Sequence, residues 1–301
     1  MTTSNEKHFK QNKYIVPTAQ LPSVFRLVHL SKVMTSGNCN IFNAKLYNES
    51  ASIAVTWISD CDDKLQVGQL VYPDWMSQQI SLEGCNIVQK LTTLKNPESG
   101  MNVFDTVPKN WVKDRRLINQ ARNIFASLSP EFALFANNIF WEHQRFYKFL
   151  VVPHSTKKKN HFHGNLRETI RLTMTVSSLI IPNSKIDSNI ATLAAWLNDA
   201  ENADQFTFNS NTKRFELIDN KDLESNANKI IQWMNATAQS YAFNMKESDY
   251  LKLTSALIIC RMPIITIRLS WSVSPEAKVI AVATKLLNHI DLENKTFSEV
   301  I

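Results

Sequence analysis

The 301-residue chain is 44% hydrophobic and 20% charged, the make-up of a globular protein long enough for two domains of ordinary size. No stretch approaches the roughly 18–20 consecutive apolar residues that cross a bilayer, so no membrane-spanning helix is expected. The net charge of +6 is concentrated: residues 111–160 hold nine Lys/Arg against three Asp/Glu, whereas residues 1–110 hold ten against nine and residues 161–301 fourteen against fifteen.

Residues 1–13 are polar and carry no apolar signal segment, and residues 1–21 read as a flexible tail. The four cysteines, Cys39, Cys61, Cys85 and Cys260, form no CxxC pair, which points to free thiols in a reduced, cytoplasmic setting. Residues 24–33, 39–47, 52–58, 66–72 and 78–91 are short runs rich in β-branched and aromatic residues, with turn residues between them. Five such runs predict a five-stranded oligonucleotide-binding (OB) type barrel over residues 22–94. Pro97, Gly100 and Pro108 then mark residues 95–112 as a linker.

From residue 113 the periodicity becomes helical. Leu117, Ile118, Ala121, Ile124, Phe125 and Leu128 form one stripe, and Ser129-Pro130 opens a second helix expected to run to about Leu150. Further helices are expected at 165–181, 187–199, 222–243, 247–261 and 275–290, with a small hairpin over 205–218. The fold class expected is therefore α+β and multi-domain: a β-barrel followed by an all-α domain over 113–301 that carries one hairpin.

Barrels of this type hold single strands by stacking bases on aromatic rings while cations follow the phosphates. The aromatic candidates are Phe42, Tyr47, Tyr72 and Trp75, with Trp57 assigned to the core. Lys45 and Arg26 are candidate phosphate contacts on the barrel. The barrel is nearly neutral, so Arg115, Arg116, Lys157, Lys158 and Lys159 are expected to add most of the electrostatics. His154, His161, His163, Glu168 and Asp199 form a second candidate set, since carboxylates and imidazoles converging on one pocket hold Mg2+ or Mn2+. No phosphate-binding glycine loop and no nucleophile elbow is present in the chain, which has only five glycines.

The order of barrel, linker and helices resembles the YhaM-type 3′–5′ exoribonucleases over residues 22–290, and the helical part is also similar to the HD-like segment of conjugative-element relaxases. Ala54-Val55-Thr56-Trp57 and Val67-Gly68-Gln69-Leu70-Val71 resemble two barrel runs of that family. Phe149-Leu150-Val151-Val152-Pro153-His154-Ser155 resembles its hydrophobic run ending in Pro-Ala-Ser, and His163-Gly164-Asn165-Leu166-Arg167-Glu168-Thr169 its Gly-Gly-Asn-Leu-x-His-Thr motif. Leu193-Ala194-Ala195-Trp196-Leu197-Asn198-Asp199 resembles the helix bearing the His-Asp pair, and Pro275-Glu276-Ala277 the start of the helix with the last aspartate.

The resemblance implies a metal-dependent phosphodiesterase, yet the residues at the ligand positions depart from it. Lys158 and Lys159 fall near the paired histidines, with His161 in reach of a shifted gap. Glu168 replaces the motif His, Asn198 the dyad His and Thr284 the late Asp, while Asp199 remains. An ammonium repels a cation and an amide is a poor ligand, so a metal site built on this set loses affinity.

The reading that follows is a non-catalytic accessory protein binding single-stranded nucleic acid, RNA or DNA, without a cofactor. The first alternative is an active 3′–5′ exonuclease in which Asp199, Glu168 and His161 hold Mn2+ or Mg2+, so enzymatic activity stays open. The second alternative is a protein-interaction module of a larger complex. The resemblance adds a homo-oligomer to the expectations, and no membrane partner is expected.

Overall fold

A computed structural model describes residues 21–34, 40–59, 64–76, 81–82, 85–155, 162–182, 184–218, 229–240, 245–260 and 273–298. The tail over residues 1–20, Lys157, Lys158, Lys159, His161 and the first turns of the helix expected at 222–243 lie outside them. The chain divides into two compact units between Leu94 and Lys95. Among the described residues no helix is long and apolar enough to cross a membrane.

The first unit is a closed, five-stranded mixed barrel of OB-like form. Its strands are β1 (Phe25–Met34), β2 (Asn40–Asn48), β3 (Ala51–Ser59), β4 (Leu70–Trp75) and β6 (Cys85–Thr93), with the short β5 (Ser81–Leu82) paired onto β6. Around the barrel the order is β3-β2-β1-β4-β6, all antiparallel, and the parallel pairing of Val55 and Thr56 with Asn86 and Ile87 closes it. The fifth run read from the sequence is therefore two strands, of which the longer one closes the barrel. Alternation places Phe42, Ala44 and Leu46 of β2 and Val55 and Trp57 of β3 inside, against Phe25, Leu27, Val71, Val88 and Leu91. Each such side chain contributes about 1.5–3 kcal/mol by leaving water.

Strand β4 begins four residues later than the run that predicted it, because residues 66–69 form a turn. Gly68 sits there at φ 100, a left-handed conformation that favours glycine. Arg26, fully buried on β1, donates from Nη1 to the Gly68 carbonyl at 2.6 Å. Burial pushes the Arg26 guanidinium down to about 9, so it stays charged at neutral pH and depends on such acceptors. Arg26 is thus a strut of the barrel, a correction to its reading as a phosphate contact. Arg26→Met keeps most of the volume but orphans the Gly68 carbonyl; the barrel should lose about 1–3 kcal/mol in urea unfolding.

The second unit holds α1 (Arg115–Ser127), α2 (Pro130–Ile139), α3 (His143–Val151), α4 (Gly164–Leu179), α5 (Ser188–Leu197), α6 (Lys229–Ser240), α7 (Glu247–Cys260) and α8 (Pro275–Ser298). Between α5 and α6 lies the antiparallel hairpin β7 (Phe206–Asn209) and β8 (Arg214–Leu217). The helix expected from residue 130 to 150 is two. Its chain turns at Phe140, Glu142 recaps by accepting from the Gln144 and Arg145 amides, and Arg145 Nη1 donates to the Ile139 carbonyl.

Every residue of α5 from Ile190 to Leu197 is buried. Trp196 packs against Phe104, Phe125 and Phe149 at ring-centroid distances of 5.6, 5.2 and 5.9 Å. Phe104 comes from the segment read as a linker. That segment buries Val103, Phe104, Thr106, Val107, Pro108 and Val112, and the Asn137 side chain holds it by accepting from Val103 N and donating to Met101 O. A solvated connection would tolerate change there. Phe104→Ala is instead expected to cost about 3–5 kcal/mol and to lower the thermal midpoint followed by near-ultraviolet circular dichroism.

Candidate functional site

On the barrel, the β2–β3 surface is the one that binds oligonucleotides in folds of this type. Its outward side carries Asn43 and Lys45 on β2 and Thr56 and Ile58 on β3, flanked by His29 and Ser31 of β1. Thr56 Oγ1 donates to Asn43 Oδ1 at 2.8 Å, which ties the two strands through a polar pair. Lys45 is exposed and faces His29 across the strands.

The aromatic residues expected on this surface are placed otherwise. Phe42 is buried, stacked on Trp57 at 5.1 Å and 12°, with Lys32 Nζ over its ring at 5.9 Å. Tyr47 is buried as well and its hydroxyl donates to Glu49. Neither ring has a face open to a base, which corrects both assignments: at these positions the strand alternation that closes the barrel wins over surface display. Trp75 is half-buried against the barrel core, and Tyr72 stands exposed on β4.

The basic stretch is also partly spent within the helical unit. Arg115 Nη1 donates to the Val107 carbonyl, and Arg116 grips Asp114 through Nε and Nη2 at 3.0 and 3.1 Å. The Arg116 side-chain bond holds the Asp114 carboxyl below its usual range. Arg122 pairs with Asp105, Arg145 lies 4.5 Å over the Trp233 ring, and Lys148 is 3.8 Å from Asp204. Lys157, Lys158 and Lys159 lie outside the described residues. Beside α1, a cleft of about 690 Å³ is lined by the Arg122–Asp105 pair, Asn102, Asn119, Asn123 and Phe125.

The strongest motif in the sequence falls where α3 passes into α4. His163 stands at the α4 N-terminus with φ 62; its amide donates to Val151 O, and its Nδ1 lies 2.8 Å from Leu150 O. A carbonyl at Nδ1 can only accept, so that ring nitrogen is the donor. Gly164 follows because a Cβ would meet His154 N at 2.8 Å and Pro153 Cα at 3.2 Å. In the first turns of α4, Asn165 and Thr169 are buried, and among the described residues both amide atoms of Asn165, the Thr169 hydroxyl and His154 Nδ1 find no hydrogen-bond partner. Buried polar atoms in that condition require water or a ligand.

The acidic candidates do not join this group as ligands. Glu168 Oε2 lies 3.4 Å from Arg171 Nη1, which is 2.8 Å from Asp291 on α8. Burial opposes the Arg171 charge, but the Asp291 and Glu168 carboxylates outweigh it and raise the guanidinium above its usual value. Asn198, at the C-cap of α5, accepts from the Cys260 thiol at 3.1 Å, and Asp199 beside it is half-buried. Thr284 donates to its own helix at Ile280 O. Among the described residues no three His, Cys, Asp or Glu side chains converge as a metal site, so His163, Glu168 and Asp199 are not brought together as one; His161 lies outside.

No family model matches the chain, and neither a curated protein nor a solved structure matches it.

Gly164→Ala, which forces a Cβ onto backbone at the α3–α4 junction, is expected to destabilise the helical unit by about 1–3 kcal/mol. Thermal unfolding of the variant beside the parent chain checks it.

Proposed function

We propose that this chain is a non-catalytic, single-strand nucleic-acid-binding accessory protein built on an OB–HD nuclease architecture. The observation that carries the non-catalytic half is the Glu168–Arg171–Asp291 chain of ion pairs. Where the resembling family sets a neutral imidazole, this protein sets a carboxylate already neutralised by a guanidinium. A cation built into the fold at that point disfavours a second, divalent one. The binding half rests on the OB-like barrel with its exposed Lys45 and on the excess of basic residues between 111 and 160.

Asp199 supports the rival exonuclease reading, since it is half-buried beside the α5 C-cap where the family keeps its dyad aspartate. One experiment separates the two. End-labelled single-stranded RNA and DNA are incubated with the protein and Mn2+, with Asp199→Ala alongside, and run on native and denaturing gels. The expected result is a retarded, intact strand in both proteins. Affinity should fall roughly twentyfold as salt rises about fourfold, for about three phosphates neutralised, and should weaken when Lys157, Lys158 and Lys159 are changed to Gln. Shortened product that disappears in Asp199→Ala overturns the reading in favour of a nuclease. A strand that never shifts overturns the binding half and favours a protein-interaction module.

A further inference from the structure

The hairpin of the second unit has one apolar face. Phe206 pairs with Leu217 and Phe208 with Phe215, so all four side chains stand on one side, while Thr207, Asn209, Arg214 and Glu216 stand on the other. Phe206 and Phe215 are buried, but Phe208 is 47% exposed, and Phe162, which precedes α4, is 48% exposed. The rings of Phe162, Phe208 and Phe215 form a cluster with centroids 5.9, 5.0 and 5.3 Å apart and planes tilted by 60–63°. The rings meet edge to face, and the two outer ones, Phe162 and Phe208, each keep close to half of their surface exposed. Two half-exposed phenylalanines side by side lose hydrophobic stabilisation that a covering partner would recover.

The charge at the rim indicates which partner. Asn209 Oδ1 accepts from the Asn211 and Thr212 amides and so holds the hairpin turn rigid. The same Asn209 donates to Glu216, and Thr212 also donates to that carboxylate, so the acid of the hairpin is engaged within it. Lys213 and Arg214, at the turn, are exposed and have no side-chain acceptor among the described residues. Exposed aromatic surface on one face of the hairpin, with Lys213 exposed at the turn that joins its strands, complements stacked bases on a polyanionic backbone.

We propose that Phe162 and Phe208 form a base-stacking platform for single-stranded nucleic acid, with Lys213 at the hairpin turn taking its phosphate backbone. The platform deepens the binding function proposed above and rests on it. It lies on the helical unit, where the sequence had offered barrel aromatics.

The test is fluorescence anisotropy of labelled oligothymidine and oligouridine with the full chain. Phe162→Ala and Phe208→Ala are compared with Phe162→Leu and Phe208→Leu, and each is repeated on a strand of equal length lacking bases. Both residues are half-exposed, so the variants are expected to fold, and circular dichroism checks this. Each alanine change should weaken binding of the normal strand by about fivefold to a hundredfold and leave the abasic strand unaffected. Leucine, apolar but without a π face, should behave as alanine does. Lys213→Gln should lower the log–log salt slope by about 0.7, the share of one phosphate contact on a single strand. Strong binding unchanged by the alanine variants overturns the platform and leaves nucleic-acid binding standing. Full affinity in the leucine variants overturns stacking and makes the patch an apolar docking surface. No binding by the parent chain overturns both the platform and the function it rests on.

Discussion

Helix α5 has no face turned to water, and that one constraint organises the second unit. Every side chain from Ile190 to Leu197 must meet apolar partners, so the surrounding elements are obliged to supply them. Trp196 is met by rings from three different segments, and Phe104 among them draws a stretch with two prolines and a glycine into the core. Once Phe104 is inside, the backbone around it needs partners. Asn137 provides them by bonding Val103 and Met101. The break between α2 and α3 has the same origin, because Phe140 turns inward against Phe149 at 4.7 Å and the chain must recap at Glu142.

The barrel obeys a different rule. Its closure rests on a short parallel pairing of β3 with β6, and closure leaves the interior to be filled from all five strands. Filling it takes Phe42 and Trp57, stacked on each other, and brings Arg26 inside to hold the turn at Gly68. A small barrel therefore has few aromatics to spare for its surface. What remains outside on β2 and β3 is polar or aliphatic, with Lys45 the cation of that surface.

Charge follows the same economy of partners. Residues 111–160 look strongly basic as a tally, yet Arg116, Arg122 and Lys148 each stand by an acid, and Arg145 covers a ring. The field that reaches a strand in solution is set by the cations left over. At the α4 motif the balance is inverted: carboxylates are held by Arg171, while among the described residues Asn165, Thr169 and His154 have unmet polar atoms. That junction keeps the packing demanded at Gly164, and among the described residues it gathers no ligand set.

The sequence by itself determined the element types: alternation for the strands of the barrel, a 3.6-residue period for the helices, and a hairpin within residues 205–218. Those signals are local, because backbone geometry fixes which neighbours in the chain share a face. The tertiary structure alone decided which aromatics are spent on the core, that residues 95–112 are packed and not free, and which charges find a partner. Phe42 and Phe208 both sit in strands with an asparagine directly after them. One is buried and the other is half exposed, because a closed barrel surrounds the first, whereas the hairpin buries Phe206 and Phe215 of the same face and leaves Phe208 half covered. Burial is a property of what the rest of the chain brings to a residue, and no local pattern contains it.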